Sequence, residues 1–221
     1  MADIAVRPAR AADVRELAQV LSRAFYDDPP FIWMLPDERS RQRRARGTFT
    51  TIMRSHALKY GGVEVATGGG TMVGGAIWLP PGHWLPTGRE QVRSLPGYAR
   101  ALGRRFGPAT ELVGCMVKHH PREQHWYLYA IGVDPGHQGN GVASVLLRSR
   151  LARCDQAGMP AYLESSKPEN VPLYKHFGFE VTEVLDPPKS APPLTAMAVS
   201  MIWNMRRMTL AIREMSNRMD R

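Results

Sequence analysis

The most regular pattern in the chain is an apolar and aromatic run at residues 126–133, which is followed at once by a glycine-spaced turn. A continuous run of this kind is typical of a strand that is covered on both faces. The Asp-Pro-Gly sequence at 134–136 ends the strand. Apolar residues then recur at helical spacing, which predicts an amphipathic helix over about 141–157. This region therefore predicts a buried strand, a tight turn and a helix in direct succession.

The sequence after this helix completes a strand–helix–strand unit. A glycine and a proline end the helix, and the apolar segment at 161–165 predicts the next strand. Two strands joined by a crossover helix run parallel, so the strands at 126–133 and 161–165 should be parallel neighbours. A short helix from about Asn170, a strand that includes Val181 and a last strand from Leu194 to Trp203 follow.

The first 118 residues predict further strands and helices of the same domain. A strand at Ile4–Pro8 precedes a helix that starts at Asp13, and a longer helix is predicted from Asp37 to Tyr60. Val63–Leu79 predicts a hairpin around a central triplet of glycines. The helical stretches at 89–118 are expected to be broken by Gly97, Gly103, Gly107 and Pro108.

Two apolar details of this half bear on packing. The Gly74-Gly75 pair inside the second hairpin strand indicates a bulge or a close backbone approach. The segment Phe31–Leu35 lies between prolines and is apolar throughout. It is either a helical turn over a pocket or a plug of the core, and both interpretations stay open at this point.

Together these elements predict a single mixed α/β domain over residues 1–205, with a central twisted sheet of about six or seven strands flanked by helices. Of the 221 residues, 43% are hydrophobic and 22% are charged, which is typical of a soluble globular protein. The chain has no apolar run of about 18 residues and no apolar leader, so neither a membrane span nor export is expected. Cys115 and Cys154 have no metal-ligand spacing, which favours reduced thiols in a cytoplasmic protein without a metal.

The formal net charge is +9, and the basic residues include two arginine clusters, at 39–46 and 206–221. Such a surface can attract nucleic acid, an anionic membrane or a phosphorylated cofactor, and it can also be a simple solvated face. No zinc-finger, RNA-recognition or basic-zipper pattern accompanies the charge. We therefore expect no nucleic-acid partner.

Residues 206–221 are predicted to form a basic helical extension of the domain. An apolar stripe with spacings of 4, 3, 4, 3 and 4 runs into this extension, and it consists of Met201, Met205, Met208, Ile212, Met215 and Met219. A stripe of this period can pack on the same domain, pair with a second subunit in a homodimer, or lie on a membrane surface. The sequence leaves all three open.

The turn at 138–143, Gln-Gly-Asn-Gly-Val-Ala, carries the clearest candidate chemistry. Its small residues let the backbone come close to a ligand, and its amides and the helix N-terminus present partial positive charge. This combination suits a phosphate or pyrophosphate group. The spacing is not G-x-G-x-x-G and no Lys-Ser/Thr pair closes it, so it fits neither a dinucleotide-binding fold nor a P-loop ATPase.

The same turn resembles the acetyl-CoA pyrophosphate loop of the GNAT superfamily of N-acetyltransferases, Q/R-x-x-G-x-G/A, with Gln138, Gly141 and Ala143 in the fixed places. The sequence Y-x-x-x-G-F that begins at Tyr174, about 35 residues later, is similar to the second signature of that superfamily. Within the superfamily, HWYLYAIGVDPGHQGNG, PAYLESS and ENVPLYKHFGFEV are most similar to the puromycin N-acetyltransferase branch. The similarity is densest at about 119–181.

The resemblance implies a GNAT-type fold, acetyl-CoA as co-substrate and no metal. It also implies that a bulge splays the parallel pair and opens a slot for the thioester. The backbone at 131–133 would align with the pantetheine amides, and 139–144 would hold the pyrophosphate. The residues implied in cofactor binding are Ile131, Gly132, Val133, Gln138, Gly139, Asn140, Gly141, Val142, Ala143, Ser144 and Asn170.

Acetyl transfer to an amine requires a polarised carbonyl, a neutral amine and protonation of the leaving thiolate. Tyr174 matches the superfamily tyrosine that protonates the thiolate, and a phenol suits a general acid, although a packing role is the alternative. Asn170, one helical turn earlier, either caps that helix or contacts pantetheine.

The general base is the least determined part of the site. Many members of the superfamily carry a glutamate on the strand at 126–133, but this strand has no carboxylate. Glu164, on the neighbouring strand, is the nearest candidate, and His125 is a second candidate that could act through a water. Either residue could instead be structural, and an amine of modest pKa could need no base.

The resemblance therefore predicts an acetyl-CoA-dependent N-acetyltransferase that acts on a primary amine of a small molecule by direct attack in a ternary complex. A protein or peptide amine as acceptor and a non-catalytic coenzyme A-binding module are the alternatives.

Overall fold

A seven-stranded mixed sheet forms the centre of the computed structural model, which describes residues 4–187 and 191–199. The spatial order of the strands is β1-β2-β3-β4-β5-β7-β6, and β4 and β5 are parallel while the other neighbours are antiparallel. The predicted mixed α/β class and the predicted parallel pair are therefore confirmed. The strands are β1 (Ile4–Pro8), β2 (Val63–Gly68), β3 (Thr71–Leu79), β4 (Trp126–Val133), β5 (Ala161–Ser165), β6 (Glu180–Leu185) and β7 (Leu194–Val199).

Helices cover both faces of this sheet. They are α1 (Val14–Ala24), α2 (Pro29–Met34), α3 (Glu38–Ser55), α4 (Gly88–Leu102), α5 (Phe106–His119), α6 (Val142–Gln156) and α7 (Val171–His176). The helices α1 to α5 contribute to the apolar core on one face, and α6 and α7 contribute to the core on the other. Among the helices that the structure describes, none is both long and apolar enough to cross a membrane.

The position of α1 against the sheet depends on two glycines. A Cβ atom on Gly75 of β3 would lie 2.4 Å from Leu17 Cδ1, and a Cβ atom on Gly132 of β4 would lie 2.8 Å from Leu21 Cδ2. A side chain at either position would therefore push α1 away from the sheet. The close backbone approach that the sequence indicates at Gly74-Gly75 is confirmed, while Gly132 lets the C-terminal end of α1 lie against β4.

Two helical predictions need correction. The helix predicted from Asp37 to Tyr60 ends as α3 at Ser55, and a separate 3₁₀ turn covers Ala57–Tyr60. The cause is His56, which leaves the helical conformation and places its buried ring between the Glu90 carboxylate (3.1 Å) and the His83 carbonyl (2.7 Å). A contact between side chains that are distant in sequence thus ends the helix before its amphipathic pattern ends.

The predicted breaks within 89–118 occur only at Gly103, which has a φ of 52° and separates α4 from α5. Gly97 stays helical, and it is small because a Cβ atom there would lie 2.4 Å from Thr51 Oγ1 on α3. Gly107 and Pro108 lie in the first turn of α5, where a missing amide costs no helical hydrogen bond. The prediction that these three residues break the helix was wrong.

The segment Phe31–Leu35 belongs to the core. Phe31 and Leu35 are buried, and the Phe31 ring packs at 5.5 Å from that of Phe25 and 5.2 Å from that of Phe49. The structure therefore favours the core plug over the roof of a pocket.

The last predicted strand is observed from Leu194 to Val199. Its continuation to Trp203, the Met/Ile stripe and the boundary at 205–206 lie outside the described residues and stay predictions.

Candidate active site

A one-residue bulge in β4 opens the sheet between β4 and β5. In the pairing with β3, Ile77 lies opposite Ala130 and Trp78 lies opposite Leu128, so Tyr129 is an extra residue. The parallel pairing with β5 runs from Trp126 to Leu128 and stops there. The expected bulge and the expected splay of the parallel pair are both confirmed, and β4 leaves β5 at the bulge.

A cavity of about 530 Å³, here called the slot, fills the space between the separated strands. It reaches from the turn after β4 to α7, and Tyr174 and the Glu164 backbone belong to its walls. Asn140 is absent from its lining, and so is His125. The predicted cofactor-binding residues that do line the slot are Ile131, Gly132, Val133, Gln138, Gly139, Gly141, Val142, Ala143, Ser144 and Asn170.

The turn at one end of the slot has a backbone that depends on glycine. Gly139 and Gly141 both have a φ of 78°, which disfavours a side chain, although a Cβ atom at either position would meet nothing within 4 Å. Gly141 is the N-cap of α6, and no side chain caps this helix. The first amides of a helix have no partner inside it, so this end of the slot presents donors to a ligand.

The two polar side chains of the turn are directed back to the chain itself. The Gln138 amide donates to the Val133 carbonyl at 3.3 Å, which ties the turn to the end of β4. The Asn140 amide donates to the carbonyls of His137 (3.2 Å) and Gln138 (3.4 Å). Gln138 and Asn140 therefore shape the turn, while its backbone faces the slot.

Tyr174 lies at the other end of the slot and is only 7% exposed. Its carbonyl accepts hydrogen bonds from the amides of Phe177 (2.9 Å) and Phe179 (3.1 Å), and Gly178 between them has a φ of 84°. The Y-x-x-x-G-F sequence is thus the end of α7, and it fixes the position of the tyrosine. Burial and then the charge of Asp28 raise the pKa of the Tyr174 phenol.

Asn170 lines the slot from the residue before α7. It occupies the N-cap position, but its side chain makes no capping hydrogen bond. The structure therefore does not support the capping alternative, and the Asn170 amide is available to a ligand in the slot.

Asp28 is a slot residue that the sequence analysis missed. It is 4% exposed, and its carboxylate accepts hydrogen bonds from the Phe31 amide at 3.4 Å and from the Ser166 hydroxyl. Burial raises the pKa of this carboxyl group. An Asp before two prolines is a recognisable N-cap of a helix, here α2, but no sequence signal indicates that it meets Ser166.

A second contact joins the same two segments beside the slot. Lys167 forms an ion pair with Asp27 at 2.8 Å, next to the bond between Ser166 and Asp28. The segment between α1 and α2 is thereby joined to the loop that follows β5.

Glu164 presents its backbone to the slot, and its carboxylate is buried on the face of the sheet that α1 to α5 cover. The side chain is 2% exposed, and neither oxygen has a hydrogen-bond partner within residues 4–187 and 191–199. The basic side chain that contacts it is His120, whose Nδ1 is 3.6 Å from Glu164 Oε1. Burial and then the Glu164 charge raise the pKa values of Tyr127 and Tyr162.

His125 joins the same buried group. Its Nδ1 lies 2.7 Å from the Glu123 carbonyl, and its Nε2 lies 2.9 Å from His120 Nε2. The two base candidates of the sequence analysis, Glu164 and His125, are thus connected through His120, which the sequence analysis did not single out. His120 follows α5 directly and is 40 or more residues from Glu164 in sequence, so no local pattern links them.

The cysteines lie apart from this chemistry. Neither Cys115 nor Cys154 lines the slot, and burial raises the pKa of the Cys154 thiol to about 12. A thiol with such a pKa is not a nucleophile near neutral pH. No group of three or more side chains suited to a metal occurs in the described part of the chain.

Comparison with known proteins agrees with this arrangement. The model of the Acetyltransferase (GNAT) family matches residues 23–179. An uncharacterized N-acetyltransferase of Schizosaccharomyces pombe is 30% identical over 187 residues, which cover 80% of this chain and 74% of the relative.

Solved structures share the fold. The structure of histone acetyltransferase HPA2 and related acetyltransferase from Corynebacterium glutamicum has a TM-score of 0.70 and 26% identity, and the match covers 90% of this chain and 97% of that one. A polyamine N-acetyltransferase of Drosophila melanogaster has a TM-score of 0.55 at 16% identity, with 90% and 100% of the two chains covered, which shows the fold alone. The chain belongs to the GNAT family of acetyltransferases and is an acyltransferase.

Proposed function

We propose that the protein transfers an acetyl group from acetyl-CoA to the primary amine of a small molecule, by direct attack of the amine in a ternary complex. The observation that carries this proposal is the slot itself, which has backbone donors at one end and a buried tyrosine at the other. The family uses acetyl-CoA, and the slot residues fit that molecule.

The fit rests on two stretches of backbone. Beyond Leu128, β4 has no ladder partner on its β5 side among the described residues, so the edge at 131–133 can pair with the amides of pantetheine. The amides at 139–144 and the uncapped N-terminus of α6 suit the pyrophosphate. Asn170, whose side chain is not used as a cap, would contact pantetheine. Acetyl-CoA supplies the activated acyl group, and these residues bind and orient it.

Tyr174 is the proposed proton donor to the departing thiolate. Its raised pKa keeps the phenol protonated throughout the neutral pH range, so the hydroxyl is always a donor. The same shift makes the phenol a weaker acid than free tyrosine, so we expect a hydrogen bond to the developing thiolate first and proton transfer late. In the reaction the C–N bond forms, the C–S bond breaks and the thiolate gains a proton.

Glu164 is the proposed acceptor of the amine proton. It is a carboxylate at the point where β4 and β5 separate, and two unpartnered oxygens are unusual for a buried group. Because the carboxylate is covered, the proton would reach it through one water. The buried His125 has both ring nitrogens engaged and stays a weaker candidate.

Two contacts at the edge of the slot favour a small-molecule acceptor. The bonds between Asp28 and Ser166 and between Asp27 and Lys167 join two loops at this edge. Puromycin remains a specific candidate because of the sequence resemblance noted above. A peptide amine is the second candidate, and the similarity to the Corynebacterium glutamicum structure of histone acetyltransferase HPA2 and related acetyltransferase favours it.

The experiment that tests the proposal is a measurement of thiol release from acetyl-CoA over a panel of amines, with coenzyme A binding measured in parallel. The panel holds puromycin, polyamines, arylalkylamines and lysine peptides. Thiol release with a small amine supports the proposal, and release with peptides alone favours the second candidate. Binding without release from any amine would favour a non-catalytic module, and no binding would contradict the assignment of the slot.

A further inference from the structure

The buried histidine pair beside Glu164 has no role in the sequence signatures of the family. His120 is 7% exposed and His125 is 4% exposed, and their Nε2 atoms are 2.9 Å apart. We infer that His120 is a positioning residue, which directs an N–H group at Glu164 and keeps this carboxylate ionised for the amine proton. The inference rests on the proposed role of Glu164 as the acceptor of that proton.

The direction of each hydrogen bond follows from one backbone carbonyl. The Glu123 carbonyl can only accept, so His125 Nδ1 must carry a hydrogen. A single further hydrogen lies between the two Nε2 atoms, since two nitrogen lone pairs facing each other at 2.9 Å would repel. With these two hydrogens assigned, the only ring nitrogen of the pair that can either carry or lack a hydrogen is His120 Nδ1.

The nearby Glu164 carboxylate favours the protonated form of His120 Nδ1. When the pair holds one extra proton, His120 Nδ1 carries a hydrogen that faces Glu164 Oε1, 3.6 Å away, whichever ring bears the charge. When the pair is neutral, a lone pair faces the carboxylate instead, which is unfavourable in a buried place. Burial lowers the pKa of His125, which disfavours a positive charge on that ring.

Other groups around this unit add no second cation. The Trp84 ring stacks on His120 at 3.6 Å, and Tyr127 and Tyr162 meet His120 edge-on at 4.8 Å, all three without charge. On β6, Glu183 pairs with His119 at 3.0 Å, and the Glu183 charge acts on Tyr162. Within the described residues, His120 is therefore the basic side chain in direct contact with the Glu164 carboxylate.

Three variants of His120 distinguish the contribution of its Nδ1 from that of its Nε2. His120→Asn keeps a neutral N–H donor near the Nδ1 position, toward Glu164. His120→Gln keeps a donor near the Nε2 position, toward His125, and His120→Phe keeps only the ring that stacks on Trp84. We expect the acid limb of the kcat/KM pH profile to move up by about one unit in the Gln and Phe variants, which means roughly tenfold less activity below the limb. In the Asn variant the acid limb should move by less than one unit.

A measurement that does not require catalysis makes the test independent of the identity of the acceptor amine. In protein labelled with ¹³C-glutamate, the carboxyl resonance lost in Glu164→Gln identifies Glu164, and its titration is compared between the wild type and the variants. In addition, ¹⁵N spectra of the wild-type histidines report which ring nitrogens are protonated. This last measurement requires no variant to fold.

The protonation of His120 Nδ1 and the Glu164 pKa in the variants together test the inference. A protonated His120 Nδ1 near neutral pH, together with a higher Glu164 pKa in the Gln and Phe variants, supports the inference. An unprotonated His120 Nδ1, or an equal Glu164 pKa in all four proteins, overturns it. If no amine yields thiol release from the wild type, the proposed function fails, while the NMR titration still decides the role of His120.

Discussion

The two ends of the slot are built in different ways. The turn at 138–144 comes from one continuous stretch, and it offers backbone amides whose direction depends on Gly139 and Gly141. The opposite end brings together the side chains of Asp28 and Tyr174 and, behind the Glu164 backbone, the buried Glu164 carboxylate, and these come from three distant segments. A backbone site tolerates most side-chain changes and fails when the conformation changes. A side-chain site fails when one functional group is lost, even if the conformation is kept.

The largest effect that this comparison predicts is on Tyr174. We expect Tyr174→Phe to lower kcat by about 10²- to 10³-fold, because it removes the proposed proton donor, while coenzyme A affinity stays within about threefold. Steady-state kinetics and calorimetry measure the two quantities. Tyr60→Phe is the matched control, since its hydroxyl bonds to Glu90 and does not line the slot. Unchanged turnover in Tyr174→Phe would remove this residue from the donor role.

A smaller effect is expected in the turn. Gly141→Val should weaken coenzyme A binding by about tenfold or more, since a β-branched residue at a φ of 78° costs about 1–3 kcal/mol or forces the turn to change. Arg148→Ala, on the exposed side of α6, removes a side chain that does not line the slot, and binding should change by less than about threefold. Equal losses in both variants would contradict a backbone site.

The smallest effects concern Asp28 and folding stability. Asp28→Ala removes the N-cap of α2 and should cost about 1 kcal/mol in the free energy of unfolding, whereas Asp28→Asn keeps an acceptor and should cost less. Urea titrations of both variants and the wild type measure these values. Equal losses in the Asn and Ala variants would show that the Asp28 carboxyl group matters more than the capping acceptor.

The pH dependence of the free energy of unfolding in Asp28→Asn tests the raised pKa of Asp28. Because the folded-state pKa of Asp28 is raised, the folded protein holds this proton more tightly, so the contribution of Asp28 is most favourable below about pH 4. The contribution is lost as the pH rises through the raised folded pKa. The stability of Asp28→Asn relative to the wild type should therefore increase from about pH 4 to pH 8. A difference that stays constant over this range would contradict the raised pKa.

The same contrast explains how much could be predicted from the sequence. The strand at 126–133, the turn and α6 follow from local apolar period and glycine spacing, and the parallel partner follows from chain topology. The Y-x-x-x-G-F sequence locates Tyr174 because its own backbone hydrogen bonds fix the end of α7.

What could not be predicted depends on contacts between distant segments. Nothing local indicates that Asp28 meets Ser166, 138 residues away, or that His120 lies between His125 and Glu164. The early end of α3 has the same cause, since His56 is held by a residue of α4. Local periodicity carries no information about such pairings, which only the packed sheet and helices determine.

The extra residue at Tyr129 also links binding to the integrity of the sheet. By ending the ladder to β5, it leaves the β4 backbone at 130–133 without a strand partner on that side among the described residues. A ligand with amide groups would act as the missing strand and share its hydrogen bonds with the fold. Amide hydrogen exchange in β4 should therefore slow on coenzyme A binding, and saturating ligand should raise the melting temperature of the whole domain.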